Sequence, residues 1–330
     1  MTKAPSNLQE LRRRIYRKAK SETTHRFWGL FVHITKTETL EEAYRIAKGN
    51  GGAPGIDGQS FQDIESVGRV AFLAAVREDL VTDRYKPMPN RPVEIPKGNG
   101  KFRTLQIPCI RDRVVQGALK LILEAVFEAD FCPTSYGFRP KRSPHQALAQ
   151  VRRSVMRRMS TVIDVDLSRY FDTIRHSVLL DKIAKRIQDP QVMGLVKQII
   201  KAGGSVGVPQ GGPFSPLAAN IYLNELDWFF DAIRRKTAEG EFEAVNYHRF
   251  ADDSAPRAQK GRGGLNVCNC LIDEGRPLGT GLQEQVPNRL RWLWSKAMVV
   301  STEGKGLERT RSGDWQEEDR KGTTDDVSKA

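Results

Sequence analysis

Two adjacent carboxylates close the stretch Val245–Asp253, which reads VNYHRFADD. Its first six residues predict a β-strand, and Ala251, Asp252 and Asp253 then form a tight turn. Neighbouring carboxylates repel each other unless a positive charge lies close to them. For the pair alone, the simpler interpretation is a solvated turn. The meaning of the pair therefore depends on the rest of the chain.

A third carboxylate, Asp166, lies within the apolar run Thr161–Leu167 (TVIDVDL), which predicts a buried strand. Burying a carboxylate without a partner costs several kcal/mol, so Asp166 needs a cation, either a basic side chain or a metal ion. If the two strands pair, Asp166, Asp252 and Asp253 converge. Three carboxylates together would hold two Mg²⁺ ions about 4 Å apart, an arrangement that catalyses phosphoryl transfer.

Basic residues dominate the charge of the chain, which has 330 residues and a formal net charge of +13. Nucleic acid is the polyanionic partner that would best offset this charge, although a basic surface without specific use is the alternative. Phosphate contacts would make the binding depend on salt. Some of the basic residues are clustered in the sequence. The first cluster is Arg12, Arg13, Arg14, Arg17, Lys18 and Lys20, and the second is Arg139, Lys141, Arg142, Arg152, Arg153, Arg157 and Arg158.

Turn and strand signals organise the chain before the Asp-Asp pair. Glycine and proline in Gly51–Gly58 predict a structured loop. Two strand-like runs flank a turn at Gly98–Lys101 and predict a hairpin, with Lys97 and Arg103 near its tip and flank. The glycine-rich stretch Gly203–Gly212 precedes a long amphipathic helix.

Several kinds of protein and site are disfavoured. No apolar run has the length of a membrane-spanning helix, and the basic N-terminus lacks the apolar core of a signal peptide. We therefore expect a cytoplasmic protein without a membrane partner. Cys268 and Cys270 form a lone C-x-C, which argues against a zinc site. From 255 to 330 apolar residues thin out, which predicts a mostly disordered tail.

Taken together, the motifs resemble the reverse transcriptase domain of group II intron-encoded proteins, over the range Leu11–Ser254. Each match alone is weak or moderate, but the matches occur in the family's order along the chain. The matching segments are Gly51–Gly58, Ile95–Pro108, Asp112–Gln116, Ser135–Pro140, Asp166–Asp172, Pro209–Leu223 and Phe250–Asp253.

The resemblance implies an α+β fold of the reverse transcriptase fingers-and-palm type, with a small antiparallel sheet backed by helices and with the thumb missing. It divides the chain into a basic N-terminal extension and loop at 1–75, fingers at 76–160, a partial palm at 161–254 and an unrelated tail at 255–330. Pro256 follows the Asp-Asp turn where the family continues with a strand. Since proline cannot donate to a ladder, we expect the palm sheet to lack one strand.

The resemblance also implies a metal site. Asp166 and Asp252 would hold two Mg²⁺ ions, with the carbonyl of Leu167 as a further ligand and Asp253 as a weaker helper. These residues would be the catalytic centre of nucleotidyl transfer.

Further roles concern the nucleotide and the RNA. Lys97 and Arg103 would reach the triphosphate of the incoming nucleotide, Phe171 would exclude a 2′-hydroxyl, and Gln210 would line the pocket. Simple solvation of the hairpin is the alternative for Lys97 and Arg103, and a core position is the alternative for Phe171. The residues expected to bind RNA are Arg12, Arg13, Arg14, Arg139, Lys141 and Arg142.

The function implied is an RNA-directed DNA polymerase that acts on the RNA of its own intron, with primer, template and dNTPs as partners. We expect truncation after the Ala-Asp-Asp motif to impair it. The main alternative is a non-catalytic, maturase-like remnant that binds intron RNA. A reverse transcriptase of a defence or retron system and a poorly folding product of a damaged gene are further alternatives. The sequence leaves the oligomeric state open, a homodimer included.

Overall fold

The computed structural model describes residues 6–98, 101–156, 161–167, 169–238, 245–251, 268–272, 297–301, 306–309 and 315–318. Asp252 and Asp253 of the expected metal site lie outside the described residues, as do Arg157 and Arg158 of the second basic cluster. The chain forms two compact units, the first from Met1–Phe131 and Arg169–Glu225 and the second from Cys132–Ser168 and Leu226–Ala330.

The described part of the chain combines helices with antiparallel strands in an α+β arrangement. The helices are α1 Ser6–Ser21, α2 Leu30–Ile34, α3 Thr37–Gly49, α4 Phe61–Val67, α5 Arg69–Val81, α6 Ile110–Phe127, α7 Pro144–Met156, α8 Tyr170–Thr173, α9 His176–Ala184, α10 Pro190–Lys201 and α11 Ser215–Ala238. The strands are β1 Arg91–Gly98, β2 Lys101–Ile107, β3 Thr161–Leu167, β4 Val245–Arg249, β5 Cys268–Ile272, β6 Ala297–Ser301, β7 Gly306–Arg309 and β8 Trp315–Glu318. None of the described helices is long and apolar enough to cross a membrane.

Helix α6 forms the centre of the first unit. It is buried on nearly all sides, and residues such as Val115 and Ile122 are fully buried, as expected for a helix surrounded by others. Helices α1, α2 and α3 pack against it. In α1, Ile15 and Ala19 are buried while most of the intervening basic residues are exposed. Helix α1 is thus amphipathic, with an apolar side against α6 and a basic side that faces solvent.

Strands β1 and β2 form the predicted antiparallel hairpin, with an irregular register between Pro96 and Gly98. The hairpin also contacts the glycine-rich stretch of the same unit. The backbone amide of Gln106 in β2 donates a hydrogen bond of 2.7 Å to the carbonyl of Gln210. This bond places the loop before α11 alongside the base of the hairpin.

The second unit contains an antiparallel sheet in the order β4-β5-β3-β6-β7-β8. Both β3 and β4 are antiparallel to β5, which lies between them, so β3 and β4 run in the same direction. Helices α7 and α11 lie against β4. The side-chain amide of Asn246 donates a hydrogen bond to the Ser154 hydroxyl at 3.1 Å. The rings of Phe230 and Tyr247 stack with their centroids 4.6 Å apart.

The sequence predicts a mostly disordered segment at 255–330, but the structure places β5, β6, β7 and β8 within it. Strand β5 also occupies the place after the Asp-Asp turn where the sheet was expected to lack a strand. The cause is local composition. The runs CNCLI and AMVVS are mostly apolar, and they contain the β-branched residues Ile272, Val299 and Val300. Averaging the composition over the whole tail concealed these short runs.

A buried histidine makes the stability of the second unit depend on pH. Burial, helped by the positive charge of nearby Arg234, lowers the pKa of His248 in β4 from its ordinary 6.5 to about 4. The Nδ1 atom of His248 has no hydrogen-bond partner among the described residues. Between these two pKa values the unfolded chain binds a proton that the folded chain does not, so folding stability falls as the pH falls through this window.

We therefore expect His248→Gln to flatten the pH dependence of unfolding. In the parent, the pKa shift of His248 removes about 2 kcal/mol of unfolding free energy between pH 7 and pH 5, and the variant lacks this contribution. Urea unfolding at both pH values measures the difference. The control is His145→Gln, at an exposed histidine of α7, which should leave the slope of unfolding free energy against pH unchanged. Equal slopes in parent and His248→Gln would refute the effect.

Two glycine substitutions in the first unit should shift stability in opposite directions. Gly194 is exposed within α10, and a methyl group there meets no atom within 4 Å, so Gly194→Ala should stabilise by about 0.8 kcal/mol through helix propensity. A methyl group on Gly55 would lie 2.5 Å from the Cα of Cys109, so Gly55→Ala should destabilise by about 1–3 kcal/mol. Denaturant midpoints test both, and a shift of the same sign in both variants would contradict the expectation.

Candidate catalytic and nucleic-acid-binding site

Asp166 lies one residue before the C-terminal end of β3, in the interior of the sheet. Its Cα is paired with that of Met298 in β6, and Leu167 is paired with Ala297. The Leu167 side chain is buried. The predicted strand around Asp166 is therefore confirmed, and its roles as catalytic residue and metal ligand, with the Leu167 carbonyl, stay predictions.

The predicted strand before the Asp-Asp pair is confirmed as β4. Ala251 follows it with a φ of 58°, in the left-handed region that costs a non-glycine residue about 1 kcal/mol. Such a conformation persists only where the surrounding structure fixes it. The chain thus turns sharply at the residue directly before Asp252.

The C-terminal ends of β3 and β4 lie at the same edge of the sheet, meaning the side at which these strands end and not an edge strand. Thr161 in β3 and Val245 in β4 both pair with Ile272 of β5, and the two strands run in the same direction. Counting along both strands, Asp166 is level with Phe250. Two strands separated by one other strand lie about 10 Å apart. The chain therefore brings Asp166 and the turn after β4 to one edge.

A buried ion pair supports this turn. The guanidinium of Arg249, 2% exposed, donates to both carboxylate oxygens of Asp227 in α11, at 2.7 Å and 2.6 Å. Asp227 is fully buried and also accepts the Tyr247 hydroxyl at 2.8 Å. Sequence reasoning missed this pair, although one signal was present, an aspartate between the apolar Leu226 and Trp228 of a long helix.

The segment Thr134–Gly137 holds the other side of the turn. The Arg249 amide donates to the carbonyl of Thr134 at 3.0 Å, and the Tyr136 amide donates to the carbonyl of Arg249 at 2.8 Å. A Cβ atom on Gly137 would overlap with the backbone nitrogen of Ala251. Glycine is needed at 137 for this close approach, which explains part of the Ser135–Pro140 motif.

Burial gives Arg139 a different role from the one expected. Its side chain is 7% exposed, and its guanidinium donates to the carbonyls of Cys132 at 2.6 Å and Ser135 at 2.7 Å. A basic residue in a motif does not reveal whether it is exposed. Arg139 therefore shapes the Ser135–Pro140 loop, and we do not retain it among the proposed RNA contacts.

The other expected RNA contacts differ in exposure. Arg12 donates to Glu124 at 2.8 Å and is 28% exposed, whereas Arg13 is 65% exposed with Glu10 at 3.7 Å. Arg14 is exposed on the same helix. In the second unit, Lys141 is exposed, and the Arg142 guanidinium lies 5.2 Å from the centre of the Tyr136 ring.

The expected nucleotide-binding residues Phe171 and Gln210 lie close together in the first unit. The Phe171 carbonyl accepts the amide of Val208 at 2.8 Å, and the Gln210 side chain donates to the Asp172 carboxylate at 3.2 Å. The Phe171 ring is 6% exposed. Asp172, which orients Gln210, was missed because a partner 38 residues away leaves no local signal.

Glycines allow the loop around Gln210 to approach its neighbours. Gly211 has a φ of 127°, and a Cβ atom there would lie 2.7 Å from the carbonyl oxygen of Gln106 in β2. Gly207 has a φ of 87°, and a Cβ atom there would lie 3.0 Å from backbone atoms of Phe171 and Asp172. The spacing of these glycines is therefore set by backbone contacts.

Lys97 and Arg103 lie near the tip of the β1-β2 hairpin, as expected. Arg103 is paired with Ile95, and Lys97 lies in the irregular part of the register between Pro96 and Gly98. Their contacts with a triphosphate stay a prediction. Among the described residues, no group of three or more potential ligands gathers at a metal-binding distance, and the expected ligands Asp252 and Asp253 lie outside these residues.

Comparison with known proteins identifies the family. Residues 95–269 match the reverse transcriptase (RNA-dependent DNA polymerase) family, so the match runs past Ser254, where the resemblance was expected to end, and into β5. The chain is 38% identical over 285 residues to protein YkfC of Escherichia coli strain K12, covering 74% of this chain and 74% of that protein.

Group II intron proteins are also among its relatives. The chain is 32% identical over 240 residues to the group II intron-encoded protein LtrA of Lactococcus lactis, covering 68% of this chain and 38% of LtrA. It is 33% identical over 187 residues to a putative COX1/OXI3 intron 2 protein of Saccharomyces cerevisiae, covering 54% of this chain and 21% of that one. A solved Cas6-RT-Cas1–Cas2 complex aligns at a TM-score of 0.39 and 16% identity, covering 80% of this chain and 41% of that one.

The chain thus spans about three quarters of YkfC and well under half of the two intron proteins. The family match begins within β1 of the hairpin and covers β2, β3, the glycine-rich loop and β4, which carry the candidate catalytic and nucleotide-binding residues. Its members use divalent metal ions and bind nucleic acid. This chain belongs to the reverse transcriptase family, and within that family it resembles the group II intron-encoded proteins.

Proposed function

We propose that this chain is an RNA-directed DNA polymerase of the group II intron type, which extends a primer on an intron RNA template. The observation that supports this most strongly is the shared edge at which β3 and β4 end. Asp166 and the turn before Asp252 are separated there by one strand. Carboxylates at the ends of nearby strands are groups that can share bound cations.

The metal ligands in this proposal are Asp166, Asp252 and the carbonyl of Leu167, with Asp253 as a helper. Carboxylate and carbonyl oxygens are the donors that Mg²⁺ prefers. Two bound Mg²⁺ ions would supply activation of the primer hydroxyl and stabilisation of the leaving oxygen. The protein itself supplies the spacing of the carboxylates, since Asp166 is fixed in the sheet and Asp252 follows a strained turn.

The nucleotide would lie between the hairpin and the glycine-rich loop, both in the first unit. Lys97 and Arg103 would place positive charge against the triphosphate. Gln210 would line the pocket, and its orientation is set by the Asp172 carboxylate and by the bond of its carbonyl to Gln106. Phe171 would exclude a 2′-hydroxyl by filling the space that a ribose needs.

RNA would bind to exposed basic residues on each unit. Arg13 and Arg14 project from α1, and Lys141 and Arg142 lie beside the Ser135–Pro140 loop. These contacts would go to phosphates, which fix the position of the nucleic acid without reading its sequence. Exposed basic residues on either unit would add to the electrostatic attraction for nucleic acid.

Loss of a metal-binding carboxylate should abolish polymerisation. Asp166→Asn or Asp252→Asn removes charge stabilisation worth several kcal/mol, which corresponds to a rate loss of roughly a thousandfold or more. Primer extension on an RNA template with dNTPs and Mg²⁺ measures the rate. Asp83→Asn is the control, because Asp83 is exposed and asparagine tolerates its φ of 56°.

Two results would contradict the polymerase proposal. Extension that persists in Asp252→Asn would remove this carboxylate from the catalytic centre. No extension by the parent, with salt-sensitive RNA binding retained, would favour the alternative of a non-catalytic, maturase-like RNA-binding protein.

Removing a proposed RNA contact should weaken binding and reduce its salt dependence. For Arg14→Ala or Lys141→Ala, we expect the slope of log affinity against log salt to fall by about 1. Filter binding over a salt series measures it. Arg84→Ala removes the same charge at a residue already paired with Glu78 at 2.6 Å, and it should leave the slope unchanged. An equal change in all three variants would show a net-charge effect only.

A further inference from the structure

We propose that the buried pair Arg249–Asp227 is a positioning device for the turn that carries Asp252 and Asp253. The inference rests on the proposed function, because the importance of the turn derives from those two carboxylates. The pair itself would not touch substrate or metal. It would act by fixing the backbone from which the catalytic carboxylates extend.

The pair is anchored rigidly. Arg249 presents its planar fork to both oxygens of Asp227, at 2.7 Å and 2.6 Å, a geometry that fixes direction as well as distance. Asp227 is fully buried within the long helix α11 and accepts a third hydrogen bond from Tyr247. In a medium of low dielectric constant these bonds are strong and leave little freedom.

The same guanidinium reaches the turn itself. Its Nη1 donates to the carbonyl oxygen of Ala251 at 3.3 Å. That oxygen belongs to the peptide group joining Ala251 to Asp252, and a peptide group is planar. A hydrogen bond to this oxygen therefore fixes the direction in which the chain leaves Ala251.

The guanidinium also joins both sides of the turn. Its Nη2 donates to the hydroxyl of Ser135 at 2.7 Å, in the segment whose Gly137 packs against Ala251. The turn is thus enclosed between α11 and the Ser135–Pro140 loop. Both are tied to Arg249, which explains how Ala251 retains a φ of 58°.

A positioning role differs from general stabilisation in what it controls. Groups behind metal ligands set the direction of those ligands, and changing such groups commonly lowers metal affinity by roughly 10–100-fold. A merely structural pair would lower the unfolding midpoint without a selective effect on metal binding. Metal affinity and local backbone protection therefore separate the two possibilities.

The test uses substitutions graded in severity. Arg249→Lys keeps the charge and removes the fork, and Ser135→Ala removes one hydrogen bond while leaving the Asp227 pair in place. The matched control is Ser154→Ala. Ser154 is 3% exposed and also contacts β4, through Asn246, but at the end of the strand far from the turn. Ser135→Ala covers the case in which Arg249→Lys fails to fold.

Two quantities are measured on the full chain. Hydrogen exchange is followed at the amides of Arg249 and Tyr136, which are hydrogen-bonded across the turn. The affinity for Mn²⁺, measured by electron paramagnetic resonance with a primer–RNA duplex bound, reports on the metal site. For Ser135→Ala and Arg249→Lys we expect exchange at these amides to accelerate about tenfold or more and Mn²⁺ affinity to fall by roughly 10-fold. Ser154→Ala should change neither.

Exchange and Mn²⁺ affinity that match those of Ser154→Ala would overturn the inference and leave the proposed function standing. Faster exchange with unchanged Mn²⁺ affinity would overturn it as well, because the turn would then move without consequence for the metal. A parent that neither binds Mn²⁺ nor extends a primer refutes the proposed function. In that case the exchange rates alone decide whether the pair fixes the turn.

Discussion

The buried ion pair between Arg249 and Asp227 fixes how three segments of the second unit meet. Two charges removed from water are costly, and their attraction repays the cost only when geometry and hydrogen bonding are nearly complete. Here the pair is satisfied only if α11, β4 and the segment around Ser135 meet in one arrangement. An apolar cluster tolerates sliding and repacking, whereas this network does not.

The first unit uses a different device, which is close approach of backbones at glycine. The loop at Gly207 and Gly211 lies against Phe171, Asp172 and Gln106 at distances that leave no room for a side chain. Residues shared with a family motif thus fall into two groups. Some present functional groups, and others allow one chain segment to pass next to another.

Much of the fold could be predicted, because periodicity and turn residues are local. The hairpin, β3 and β4 all follow from them. The partnership of Asp227 with Arg249 could not, since a charge in the sequence does not reveal its distant partner. For the same reason Arg139 was expected at the RNA and lies buried. The strands beyond 255 were missed because an average over a charged segment conceals short apolar runs.

The order of segments along the chain has a consequence for biosynthesis. Ser135 and Arg249 are separated by 114 residues, and the first unit itself resumes at Arg169 after an interruption. Neither unit is complete when its first segment leaves the ribosome, so early segments expose apolar surface while later ones are still being translated. Such discontinuous units fold slowly because distant segments must meet first. During synthesis, chaperones that bind the early segments would keep this chain from aggregating.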